Sequence, residues 1–143
     1  MSVDDVLVFF YGLFMDESLL AAKGVRPSTS RVGYVHGYRL RIGRRATLVP
    51  DQDSRAYGVL MTVRSQDVAV LYSEESVADY VSESVSVVLA DGPSESAACY
   101  NLPESKLEGG ANPEYASSLL VLAGRLGFPD DYLEQIRKLA GGG

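Results

Sequence analysis

Cysteine is nearly absent: Cys99 is the only one in 143 residues. That excludes an internal disulfide and a cysteine zinc site, and it leaves the thiol as buried apolar filler. Histidine is as scarce, with His36 alone. One histidine in a strand cannot build a Ser-His-Asp set, and no Cys, His and Asp grouping stands at ligand spacing, so no metal is expected. No Gly-rich phosphate loop is present. The 13 basic residues are outnumbered by 19 acidic ones, a formal net charge of −6, which argues against nucleic acid as a partner. The first apolar run is too short to span a bilayer, and Met-Ser-Val-Asp-Asp is acidic where a signal peptide needs positive charge. A cytoplasmic protein with no membrane partner is the expectation.

With 46% hydrophobic and 22% charged residues the chain has an ordinary globular make-up, and its length suits one domain over residues 1–143. No repeat or dividing linker interrupts it. The organising stretch is Phe9-Phe10-Tyr11-Gly12-Leu13-Phe14-Met15. Val6–Phe10 is β-branched and aromatic and reads as a buried strand. Gly12 allows a sharp turn, and Asp16 offers an N-cap for a short helix to Gly24. Such a break leaves backbone N–H groups pointing one way, a nest for a carboxylate or a developing oxyanion; a plain connection is the alternative.

Val25 to Arg31 reads as a loop. Val32 to Ile42 alternates imperfectly, with a bend at Gly37. Ala46 to Val49 is a short strand ended by Pro50, and 50–54 a polar turn. Ala56 to Val63 is the clearest buried strand. Ser65 can cap a short helix carrying Val68, Leu71 and Tyr72, and Glu74-Glu75 follows it. Tyr80–Leu89 and Ser96–Leu102 form a hairpin across Asp91-Gly92-Pro93. Helices open at Asn112-Pro113 and Pro129-Asp130. The layout is α+β, and so many short strands around a small core imply a closed or nearly closed barrel with helices outside.

Three constellations carry possible chemistry. A carboxylate just past a helix C-terminus has its pKa raised by the dipole and by burial, as a general base serving an amine requires; a solvated Glu-Glu turn is the alternative. Nine Tyr, four Phe and no Trp put the aromatic load on phenols, and Tyr11, Tyr80, Tyr100 and Tyr115 fall where strands and helices begin. They suit either a small-molecule pocket or ordinary packing. Arg39, Arg41, Arg44 and Arg45 form the basic cluster, best read as a solvated strand face.

Taken in order, these pieces resemble the gamma-glutamylcyclotransferase-like family. Tyr11-Gly12-Leu13-Phe14-Met15 is similar to its first strand end, Tyr-Gly-Ser-Asn-Leu or Tyr-Gly-Thr-Leu. Tyr57-Gly58-Val59-Leu60 resembles a barrel strand with a Gly-Val pair. Leu71-Tyr72-Ser73-Glu74-Glu75-Ser76, with Tyr80 next, is similar to Leu-Asp-x-x-Glu-Gly followed by Tyr. Pro113-Glu114-Tyr115 and Gly127-Phe128-Pro129-Asp130-Asp131-Tyr132 resemble its two C-terminal helix starts.

The resemblance implies a small mixed-strand barrel and a reaction without a cofactor. In that reaction a γ-glutamyl group cyclises to 5-oxoproline and releases an amine or amino acid. It places the general base on Glu75, with Glu74 a bystander facing solvent. Phe10, Tyr11, Gly12, Leu13 and Phe14 would cradle the glutamyl group, with Tyr80, Tyr100 and Tyr115 around the cavity. Leu13, Phe14, Tyr72 and Ser76 depart from the family pattern. A non-catalytic small-molecule binder on the same barrel is the alternative. Apolar Leu13 and Phe14 at the pocket mouth also lead one to expect an apolar or amine-derived acceptor.

Overall fold

A computed structural model describes residues 4–74, 77–90, 92–107 and 112–140. The first apolar run forms strand β1, Asp5–Phe10, whose last three residues are buried. A single 3-10 turn, Leu13–Met15, leads into helix α1, Glu17–Ala22. Asp16 caps that helix as expected, its carboxylate accepting from the Ser18 N–H at 2.9 Å. Strands β2, Thr29–Ile42, and β3, Ala46–Arg64, follow as one long antiparallel hairpin. Helix α2, Ser65–Leu71, is next, then the hairpin of β4, Val81–Leu89, with β5, Glu95–Asn101. Helices α3, Pro113–Leu126, and α4, Asp130–Ala140, complete the chain.

The strands close into a barrel in the order β1-β3-β2-β4-β5. Every pairing is antiparallel except β1 with β5, where Val8 meets Ala98 in parallel. The fold is therefore the small mixed barrel with short helices that the strand pattern implied. Val8, Phe9, Val35, Leu60, Met61 and Val87 are fully buried in one core with Leu71 and Leu119. Each such side chain contributes about 1.5–3 kcal/mol relative to exposure.

Two local expectations change. The segment 50–54 does not end a strand, because β3 runs unbroken for 19 residues. Tyr38 faces Pro50 while His36 faces Arg55, so residues 51–54 form an outsized bulge opposite Gly37. The turn chemistry is real but local: Asp51 accepts from the Asp53 N–H at 3.1 Å and from the Ser54 hydroxyl at 3.0 Å. Those bonds hold its carboxyl below the usual carboxylate range. Gly37, at φ +82°, takes the matching kink. The kink also accounts for the imperfect alternation of β2: Val35 is buried before it, Leu40 and Ile42 after it, so the inward parity changes there.

In the second change, β2 begins at Thr29 inside the segment expected as a loop, because Thr29, Ser30 and Arg31 pair with Thr62, Met61 and Leu60. Similarly, Arg64 rather than Ser65 occupies the N-cap of α2. Cys99 is buried as expected, and burial pushes its thiol up to about 12. A buried polar clasp ties β3 to the end of β5. The Asn101 side-chain oxygen accepts from the Leu48 N–H at 3.1 Å, and the Thr47 hydroxyl accepts from the Leu102 N–H at 2.9 Å.

Candidate functional site

The break at Gly12 sits where β1 leaves the barrel, and two glycines let it sit there. A Cβ on Gly58 would lie 2.3 Å from the Phe10 carbonyl oxygen, so glycine allows β3 to lie against the end of β1. A Cβ on Gly12 would lie 2.3 Å from the Tyr115 Oη, so glycine lets α3 bring a phenol down onto the turn. That phenol accepts a hydrogen bond from the Leu13 N–H at 3.1 Å. The residues are 102 positions apart. One of the loop amides expected to cradle a ligand is thus already held by Tyr115.

Beside this turn lies a cavity of about 370 Å³. Phe10, Tyr11, Gly12, Leu13 and Phe14 line it from the β1 end, Tyr80 from just before β4, and Tyr115 from α3. The structure brings together these predicted site residues. Tyr100 stands one layer back: its carbonyl accepts from the Tyr11 hydroxyl at 2.7 Å, and its ring stacks on Tyr72 with centroids 4.2 Å apart. Glu75 and Ser76 lie outside the described residues.

The walls are mostly aromatic. Phe14 meets Phe10 and Tyr72 edge-on, at 5.9 and 5.8 Å between centroids. Tyr80 donates to the Ala46 carbonyl. Burial raises the phenol pKa of Tyr11 and Tyr72, and it raises that of Tyr115 despite the Leu13 N–H bond, which lowers it. These hydroxyls therefore stay neutral at physiological pH. Tyr115, having accepted from Leu13, still has its own proton to donate.

The sequence reading missed several members of this wall. Tyr72 lines the cavity, although the helix pattern marked it only as a packing residue. Glu74 was expected to face solvent; its side chain is 45% exposed, but it also lines the cavity and pairs with Lys23 at 2.5 Å. Arg44 and Arg45 also reach the cavity, whereas the basic cluster was read as a solvated face. That reading followed strand alternation, which holds for Arg39 and Arg41. Arg44 and Arg45 lie in the turn between β2 and β3, where the position of the turn over the barrel end decides. The clue was Gly43 directly before them. Arg45 pairs with Asp79 at 3.3 Å and lies 5.7 Å from the Tyr80 ring centre.

Among the described residues no three His, Cys, Asp or Glu side chains gather as a metal site. No helix formed by them is long and apolar enough to cross a membrane.

Comparison with known proteins agrees with this architecture. No curated protein matches the sequence significantly. Solved structures do. One titled gamma-glutamyl cyclotransferase superposes with a TM-score of 0.79 at 18% identity, covering 94% of this chain and 88% of that one. A gamma-glutamyl cyclotransferase from yeast, described as specific to glutathione, gives 0.68 at 14% identity over 97% and 96%. An AIG2-like protein from Mus musculus gives 0.59 at 16% identity over 78% and 82%. At such identities the likeness is one of fold. The sequence model of the gamma-glutamyl cyclotransferase, AIG2-like, family matches residues 8–118, and the chain belongs to that family.

Proposed function

We propose that the cavity binds a γ-glutamyl compound and cyclises it to 5-oxoproline. The observation that carries this reading is the Gly12 turn with the Tyr115 phenol seated on it, at the edge of an aromatic cavity in a chain of this family. In the reaction the α-amine attacks its own γ-carbonyl. A C–N bond forms within a five-membered ring, the amide C–N bond breaks, and the acceptor leaves as an amine.

The pocket would hold the chain bent, so that amine and carbonyl meet within one molecule. Tyr115 Oη donates toward the developing oxyanion, together with amides of the 11–14 turn other than that of Leu13. Glu75 takes the proton from the attacking amine and returns it to the leaving nitrogen. An α-amino group has a pKa of about 8 and an ordinary glutamate about 4.3, so the base needs a raised pKa. No cofactor takes part in this scheme.

A second reading, a binder without turnover, draws on Leu13 and Phe14, which line the cavity with apolar side chains. Incubation with γ-glutamyl amino acids, γ-glutamyl amines and glutathione separates the two. Release of 5-oxoproline from any of them supports the enzyme. Saturable binding with no 5-oxoproline supports the binder.

A further inference from the structure

We propose that Arg44 selects the leaving group by its carboxylate, so that the acceptor is an apolar amino acid. This rests on the γ-glutamyl reading above. Lys23, Arg44 and Arg45 all line the cavity, but they are not equivalent. Lys23 is neutralised by Glu74 at 2.5 Å, and Arg45 is shared with Asp79 and the Tyr80 ring. Among the described residues Arg44 forms no ion pair with a carboxylate, which leaves its charge available to a ligand.

Its backbone is also fixed with respect to the reacting end of the cavity. The Arg44 carbonyl accepts from the Asn112 side-chain amide at 3.0 Å. The Asn112 side-chain oxygen accepts from the Tyr115 N–H at 3.1 Å, and Tyr115 Oη accepts from the Leu13 N–H. The chain of bonds runs from the β2–β3 turn through the start of α3 to the Gly12 turn. A guanidinium held on such a base offers its planar fork to a carboxylate. Leu13, Leu19 and Val77 lie on the same walls, which suits an apolar side chain next to that carboxylate. The expectation of an apolar or amine-derived acceptor, drawn from Leu13 and Phe14 alone, did not include this cation.

The test is a matched pair, γ-glutamyl-leucine and γ-glutamyl-isopentylamine, which differ only in the acceptor carboxylate. Wild type should show a kcat/KM for 5-oxoproline release at least about fivefold higher with the leucine compound, the scale of a partly exposed ion pair. Arg44→Ala should remove that preference, Arg44→Lys should restore part of it, and added salt should shrink it. Calorimetric binding of the same pair to Glu75→Gln gives the ratio independently of turnover. No preference in wild type overturns the proposal. So does an equal loss for both compounds in Arg44→Ala, because Arg44 would then hold the glutamyl carboxylate common to both. Absence of 5-oxoproline with either compound overturns the enzymatic reading, and the binding ratio still judges Arg44. Absence of binding by either compound overturns both.

Discussion

Two regions of this molecule are rich in tyrosine, and they differ in what the rings surround. At the end of β1, Tyr11, Tyr72, Tyr80 and Tyr115 border a cavity, with Tyr100 behind them. On the other patch, Tyr34 packs on Tyr57 across the β2–β3 hairpin, and Tyr57 packs on Phe128 and Tyr132 at the start of α4, with ring centres 5.1 to 5.8 Å apart. In the first region the Tyr11 and Tyr80 hydroxyls donate to backbone carbonyls, and the Tyr115 hydroxyl accepts from an amide. In the second, Tyr132 Oη is buried beside the Tyr57 backbone without reaching hydrogen-bond geometry. The same residue type thus borders an aromatic hollow in one place and builds a filled contact in the other. What separates them is backbone shape: the Gly12 turn holds open a space that Tyr115 can border.

Among changes that bear on this comparison, the largest effect should come from adding one methyl group to that turn. Gly12→Ala places a Cβ where Tyr115 Oη now lies. It should cost about 1–3 kcal/mol of stability, measured by chemical denaturation. By displacing the reacting end it should also lower kcat/KM about a hundredfold. Tyr115→Phe is gentler. It leaves the Leu13 N–H without its acceptor, costing about 0.5–1.5 kcal/mol, and it removes a donor from the cavity, lowering kcat about tenfold. An unchanged kcat would show that the Tyr115 hydroxyl is structural only.

Alkaline pH should act through the buried phenols. Burial raises the folded-state pKa of Tyr11, Tyr72 and Tyr115, whereas in the unfolded chain tyrosine ionises at about 10. Above that pH the unfolded state releases protons that the folded state keeps, so stability is full below about pH 10 and falls as pH rises past it. Thermal melts from pH 8 to 11.5, followed with tyrosinate absorbance, should show ionisation of these rings coinciding with unfolding. The smallest effect is expected at Tyr132→Phe, which removes a hydroxyl lacking an aligned partner. Stability should change by less than about 1 kcal/mol, in either direction, and activity not at all.

The strands and the barrel were legible in the sequence because they follow from local rules, and part of the cavity wall was legible through the family resemblance. Val6–Phe10 and Ala56–Val63 are apolar runs, and Asn112-Pro113 and Asp16 carry their own caps. What could not be read depends on pairs far apart in the chain. Nothing local to Pro50–Ser54 says that Gly37 will absorb its bulge, so a strand was divided into two. Nothing local to Arg44 says that Asn112 will hold its carbonyl over the cavity. Glu74 looked like a solvent-facing neighbour because the position of Lys23, on α1, is set by the fold.

The central claim, that the cavity is a site of acid–base chemistry and not a packing fault, is tested most directly at the adjacent glutamates. 5-Oxoproline release should be measured for wild type, Glu75→Gln and Glu74→Gln on a substrate that wild type turns over. Glu75→Gln should lower kcat by about 10²–10⁴-fold with the melting temperature preserved. Glu74→Gln, which loses only a half-exposed pair with Lys23, should stay within a few-fold of wild type. Equal losses from the two substitutions, or an active Glu75→Gln enzyme, would contradict the account.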